Sequence, residues 1–525
     1  MRRTLPVVLA AAIAAVASAS ATPHIGLALG ARRVEFPRGG AASDSGPQRP
    51  AVAKPAVTPT LHGDVSHPWD ERPLTLPFVG RAMGYVPHAT PRAVVLFVSG
   101  DGGWNLGVVD MARRLAASDV VIGVSLPTLR RHAQVNPDTC WYPAGDLELI
   151  SHAAQKGLKL PDYHPPILVG YSSGATLVYA ALAAAPPGTF AGALSLGFCR
   201  DLEVRRPVCP DEAWKPEYDE KKGVSWLPPQ PTLGADWHVI HGVQDQVCSP
   251  EEVQRFAKAM GSRAHVTFVE KTGHGFGRPV QWAETFDAAI DALSRWAART
   301  DRRAPPSVSM QQVERDLDRL GLPLEYTWPA DPASFVVFLS GDGGWASLDQ
   351  TVAERLASKG VGIVGVNSLK YFWRARAPEQ VAADLEAIVT AIGARDRPVY
   401  VGGYSFGAEA GTVALARGDV RLRSAIAGLL LVAPGRSASF EIDPLDWIRT
   451  PREDAATRVA PAIDALGLPT LCVAGVDDKD SACRELRGSG HVSVVQLPGS
   501  HHFGGDYEAV ARALDDFIHR ERPRP

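Results

Sequence analysis

Two Gly-x-Ser-x-Gly pentads pose the first question about chemistry. Gly170-Tyr171-Ser172-Ser173-Gly174 and Gly403-Tyr404-Ser405-Phe406-Gly407 each stand between an apolar run and a stretch of small residues. That is the sequence form of a buried strand turning sharply into a helix. Such a turn lifts a serine hydroxyl above the sheet, where it becomes a nucleophile if a base and an acid that orients the base are close. Both follow in chain order. Asp245 in HGVQDQ and Asp478 in AGVDDKD lie at the same interval after their serines, with Asp477 and Asp480 as neighbours competing with Asp478. VTFVEKTGHGF then brings His274, and VSVVQLPGSHHF brings His501. Matching Phe276 to Phe503 pairs His274 with His501 and leaves His502 opposite Gly275.

A third repeated piece completes the candidate machinery. VVLFVSGDGGW and FVVFLSGDGGW end in the same six residues, 99–104 and 340–345. A glycine-rich turn opening a helix can offer backbone N–H groups at Gly102 and Gly343. The other donors would follow the nucleophiles, at Ser173 and Phe406. Together these make an oxyanion hole in each copy, each donor worth ~3–4 kcal/mol in the transition state. Asp101 and Asp342 sit awkwardly in that turn, because a carboxylate there opposes a developing oxyanion. Two roles are open: receiving a cation of the substrate, or bracing the turn and capping its helix for about 1 kcal/mol.

These residues recur because the elements that carry them recur. Each half runs strand, glycine turn, amphipathic helix, strand, acidic-headed helix, strand, pentad and helix, and then further strands. Short, continuously apolar strands between helices predict mostly parallel sheets buried on both faces. The fold class expected is therefore α/β: two tandem domains from an internal duplication, each a mostly parallel sheet flanked by helices. The domains are expected over 74–300 and 333–525, joined by a connector over 301–332 that carries a helix in MQQVERDLDRLG. The first 21 residues have the charged start, apolar run and small-residue Ala19-Ser20-Ala21 site of a cleaved signal peptide, and 22–73 reads as a low-complexity arm.

Composition narrows the function. The chain has 525 residues, 45% hydrophobic and 21% charged, with a net charge of −3, which gives no footprint for a nucleic-acid partner. Six cysteines in an exported chain permit disulfides. Cys199–Cys209 and Cys472–Cys483 are the local pairings expected, leaving Cys140–Cys248. No ligand spacing calls for a metal, and no cofactor is expected.

The motifs FLSGDGGW, SLKYFWRARAPEQVAADL, GGYSFGAE, FEIDPLDW and PGSHHFGGDY, spanning Phe335–Tyr507, resemble the bacterial virulence protein VirJ/AcvB family of exported α/β-hydrolases. The first half resembles the same family more loosely. The resemblance implies a periplasmic serine hydrolase with Ser405, Asp478 and His501 as nucleophile, acid and base. It implies a membrane phospholipid substrate, aminoacyl-phosphatidylglycerol, and links to type IV secretion proteins. On that reading Asp342 receives the substrate ammonium, Arg374 or Arg376 meets the phosphate, and Tyr371, Phe372 and Trp373 touch lipid. The same triad would also serve a general carboxylesterase, thioesterase or peptidase. A non-catalytic docking module for a secretion machine is the competing class.

Overall fold

The computed structural model describes residues 67–135, 139–210, 213–297, 310–393, 397–443, 457–486 and 488–521. The expected signal peptide and arm lie outside the described residues, apart from the arm's last residues. No helix among the described residues is long and apolar enough to cross a membrane.

The strands, in chain order, are β1 Trp69–Leu76, β2 Gly80–Pro87, β3 Val94–Val98, β4 Val120–Val124, β5 Ile167–Tyr171, β6 Gly192–Leu196, β7 Asp201–Glu203, β8 Glu217–Asp219, β9 Val224–Trp226, β10 Trp237–Gly242 and β11 Ala264–Val269 in the first half. The second half contributes β12 Leu324–Thr327, β13 Ser334–Leu339, β14 Val361–Val366, β15 Val399–Tyr404, β16 Ile426–Val432, β17 Thr470–Gly475 and β18 Val492–Leu497. Two large sheets result, ordered β1-β2-β4-β3-β5-β6-β10-β11 and β12-β14-β13-β15-β16-β17-β18. Every pairing from β4 to β11 and from β14 to β18 is parallel; β1, β2 and β12 add antiparallel edges. The two orders are the same once β1, the outermost strand of the first sheet, is set aside, so the duplication extends to the crossovers. This is the α/β-hydrolase arrangement, twice.

The apolar runs form strands here because both faces are covered. Val94, Leu96 and Val98 face one core while Val95 and Phe97 face another; β13 divides its side chains in the same way. Order starts earlier than Leu74, since Trp69 already opens an edge strand. The connector carries the expected helix as Gln311–Asp318, but its end is β12, an integral edge of the second sheet. The insertion of the first half forms a small antiparallel sheet, β7-β9-β8.

The repeated tryptophan now has a structural reason. Trp104 lies over Gly123 of β4, and Trp345 lies over Gly365 of β14; a Cβ on these glycines would sit 2.4 and 2.3 Å from the indole rings. The strand thus leaves room for the ring that anchors the glycine turn. Gly365→Ala is expected to lower stability by about 1–3 kcal/mol through overpacking, read as a lower denaturant midpoint at unchanged slope.

The disulfides correct two pairings. Cys140 joins Cys209 and Cys199 joins Cys248; Cys472–Cys483 pairs as expected. Cys199 follows β6 and Cys248 follows β10, and these strands are neighbours in the sheet, so sheet adjacency overrides nearness in sequence.

Candidate active sites

Each nucleophile stands at a strained elbow. Ser172 and Ser405 have φ of 57° and 50°, conformations that cost a non-glycine residue energy and that packing must enforce. β5 feeds Ser172 into the helix Ser173–Ala184, and β15 feeds Ser405 into Phe406–Arg417. Ser173 and Phe406 are the first residues of those helices, so their N–H groups have no partner within the helix.

The sequence-expected residues come together within each half. In the first, His274 Nε2 is 2.9 Å from Ser172 Oγ and Nδ1 is 2.8 Å from Asp245 Oδ2. In the second, His501 Nε2 is 2.8 Å from Ser405 Oγ and Nδ1 is 3.0 Å from Asp478 Oδ2. Asp245 is held by the N–H groups of Val247 and Cys248, and Asp478 by that of Asp480. Burial opposes both charges, but the histidine and backbone hydrogen bonds prevail and keep both carboxyls below the ordinary range. His501, not His502, is the partner of Ser405; the Nδ1 of His502 meets the Tyr404 hydroxyl at 2.7 Å. Asp477 and Asp480 do not orient the base. The disulfides Cys199–Cys248 and Cys472–Cys483 each brace the loop that carries the acid.

The two copies differ around the repeated aspartate. Asp101 accepts from Arg130 at 2.6 Å and from the Ser173 hydroxyl. Desolvation pushes its carboxyl up, but these two partners hold it below the usual range. The Leu126 and Ser368 N–H groups donate in the same way to the Ser99 and Ser340 hydroxyls. That correspondence places Phe372 where the first half has Arg130. Phe406 likewise stands where the first half has Ser173. The two phenylalanine rings pack together, 5.0 Å apart. A cavity of about 440 Å³ lies against Ser405 and His501, and Asp342 and Gly343 line it.

The expected lipid-contacting run lies elsewhere. Tyr371, Phe372 and Trp373 are all buried. Trp373 donates to the Leu160 carbonyl at 3.1 Å and packs on Tyr163. Arg374 donates to the Pro161 carbonyl at 2.7 Å, and Arg376 lies over the Tyr371 ring. Tyr371, Trp373 and Arg374 therefore do not line the cavity at Ser405. The last two tie the second half to the first, through Leu160, Tyr163 and Pro161, while Phe372 packs on Phe406 and Phe440 of its own half. Part of FEIDPLDW lies outside the described residues.

Histidine protonation gives a pH prediction. Burial disfavours the His501 cation, but its bond to Asp478 and the charges of Asp478, Glu409 and Asp342 outweigh it and raise the imidazole above its ordinary value. A general base works neutral, so activity at Ser405 should fall, as pH drops, already above the ordinary imidazole range. Asp342→Asn removes one of these charges and should move that acid limb of kcat/KM to lower pH.

Fold and constellation together define the class: an α/β serine hydrolase frame with a closed Ser-His-Asp triad in each half. Within it, residues 333–522 match the family described as Bacterial virulence protein (VirJ). No curated protein matches the sequence. Similar solved structures include TT1662 from Thermus thermophilus, at 16% identity and a TM-score of 0.31, covering 45% of this chain and 99% of that one. The esterase domain of a Rhodothermus marinus protein matches at 15% identity and a TM-score of 0.30, covering 44% and 99%. XC6422 from Xanthomonas campestris, described as an a/b serine hydrolase without lid, matches at 19% identity and a TM-score of 0.26, covering 45% and 97%.

Proposed function

We propose that the protein is a periplasmic serine hydrolase whose Ser405 site cleaves the aminoacyl ester of aminoacyl-phosphatidylglycerol at the membrane surface. The observation that carries this reading is the closed Ser405–His501–Asp478 triad opening onto a cavity with a carboxylate, Asp342, beside the nucleophile. An aminoacyl ester differs from an ordinary ester by an ammonium next to the carbonyl, and such a carboxylate suits it. The VirJ resemblance over the same residues supports the substrate, and three disulfides support an oxidising compartment.

In this reading Ser405 Oγ attacks the aminoacyl carbonyl carbon as its proton passes to His501 Nε2, and Asp478 steadies the imidazolium. The carbonyl oxygen becomes an oxyanion facing the N–H groups of Phe406 and Gly343. The bond to the glycerol oxygen breaks, and His501 returns the proton to that oxygen. Water then repeats the sequence on the acyl-enzyme, releasing the amino acid and restoring Ser405. Lipid analysis of cells with and without the gene tests this. Aminoacylated phosphatidylglycerols should accumulate in its absence; an unchanged lipid profile would count against the substrate.

A further inference from the structure

The helix Pro143–Gly157 belongs to the first half, yet it also serves the second. Lys156, near its end, pairs with Glu441 at 2.8 Å, and the residues just after it bond Trp373 and Arg374. One turn inside its start, Glu148 lines the cavity that holds Ser405 and His501. Asp342 and Asp349 line the same cavity, and among the described residues no lysine or arginine does.

Asp349 is 2% exposed. Its Oδ2 accepts from the Ala346 N–H at 3.1 Å, while Oδ1 has no hydrogen-bond partner among the described residues. Leaving a buried carboxyl oxygen unsatisfied is costly unless something arrives to meet it. Burial, against the Ala346 bond, pushes the Asp349 carboxyl up to about 7. Burial and then the Asp342 charge push Glu148 up to about 8.

The first half provides an internal control. There the position equivalent to Asp349 is Val108, a buried core residue. The triad therefore does not itself require these acids. The Ser405 cavity combines three carboxyls around a nucleophile, and one of them comes from the other half.

We infer that the Ser405 pocket is composite and cation-selective: Glu148 of the first half is a specificity-determining residue that, with Asp342 and Asp349, receives an ammonium-bearing acyl group. This rests on the hydrolase reading for the chemistry but not for the binding. A cation entering the pocket offsets the repulsion among the carboxyls and supplies a donor to the open Asp349 oxygen. It also gives the first half a task in the second half's reaction, whatever its own triad turns over.

The test uses the full chain and two readouts. The first is calorimetric binding of 1,5-diaminopentane, compared with 1-pentanol, to the wild type, Glu148→Gln and Glu148→Asp. The diamine should bind the wild type and bind Glu148→Gln at least about tenfold more weakly, with Glu148→Asp in between. The second is the ratio of kcat/KM for a lysyl ester to that for a hexanoyl ester of the same alcohol. Glu148→Gln should lower this ratio at least about tenfold, chiefly through KM. Equal diamine binding by wild type and Glu148→Gln, or an unchanged ratio, overturns the inference. Diamine binding that depends on Glu148 in a protein that turns over neither ester sustains the cation site and instead sinks the hydrolase reading.

Discussion

Ser405→Ala is expected to lose about 10⁵-fold in turnover of an aminoacyl lipid ester, since removing the nucleophile removes the function of the whole triad. Its fold and melting temperature should stay close to wild type, because the side chain lost is one hydroxyl at a surface-facing elbow. Ser172→Ala should lose less on the same lipid. Its triad is as well formed, but the cavity lined by Glu148, Asp342 and Asp349 is the one at Ser405. Kinetics of the two single variants and the double variant separate the sites. If Ser172→Ala carries the larger loss, the first half is the lipid enzyme and the second its accessory.

Gly407→Ala should be a severely damaging small change in the second half. A Cβ at this position would stand 2.3 Å from the carbonyl oxygens of Leu339 and Ser340, both backbone atoms at the end of β13 and the turn after it. Neither can rotate aside, so the helix after Ser405 must back away from the sheet and the strained elbow opens. The expected cost is about 3 kcal/mol or more, at or above the upper end for overpacking, with loss of Ser405 reactivity. Gly174→Ala meets the same obstacle at Ser99 and Val98 and should disable the Ser172 site instead. Thermal melting with activity at each site checks both; a Gly407→Ala protein with wild-type stability and turnover would show that the elbow tolerates the displacement.

Much of the site was legible before the fold because its signals are local. An elbow pentad, an acid after one strand and a histidine after the next are each marked by a few neighbouring residues, and the repetition fixed which histidine matched which. What failed was non-local. Cys199 lies closer in sequence to Cys209 than to Cys248, yet the adjacency of β6 and β10 decides the bond. The Tyr371–Arg374 run has the composition of a lipid-touching loop, but its aromatic side chains pack inward, and Trp373 and Arg374 tie the halves together. Glu148 belongs to no motif. It reaches the second site only because the helix that carries it packs against that half, and no spacing in the sequence encodes that contact.

The central claim, that Ser405 is an activated nucleophile within a closed triad, is tested most directly by labelling the purified protein with a fluorophosphonate and locating the adduct by peptide mass spectrometry. The account predicts covalent modification at Ser405, abolished by Ser405→Ala and strongly slowed by His501→Ala but not by His502→Ala. A protein that folds normally yet takes no label at Ser405 would contradict it and favour a docking role for these domains.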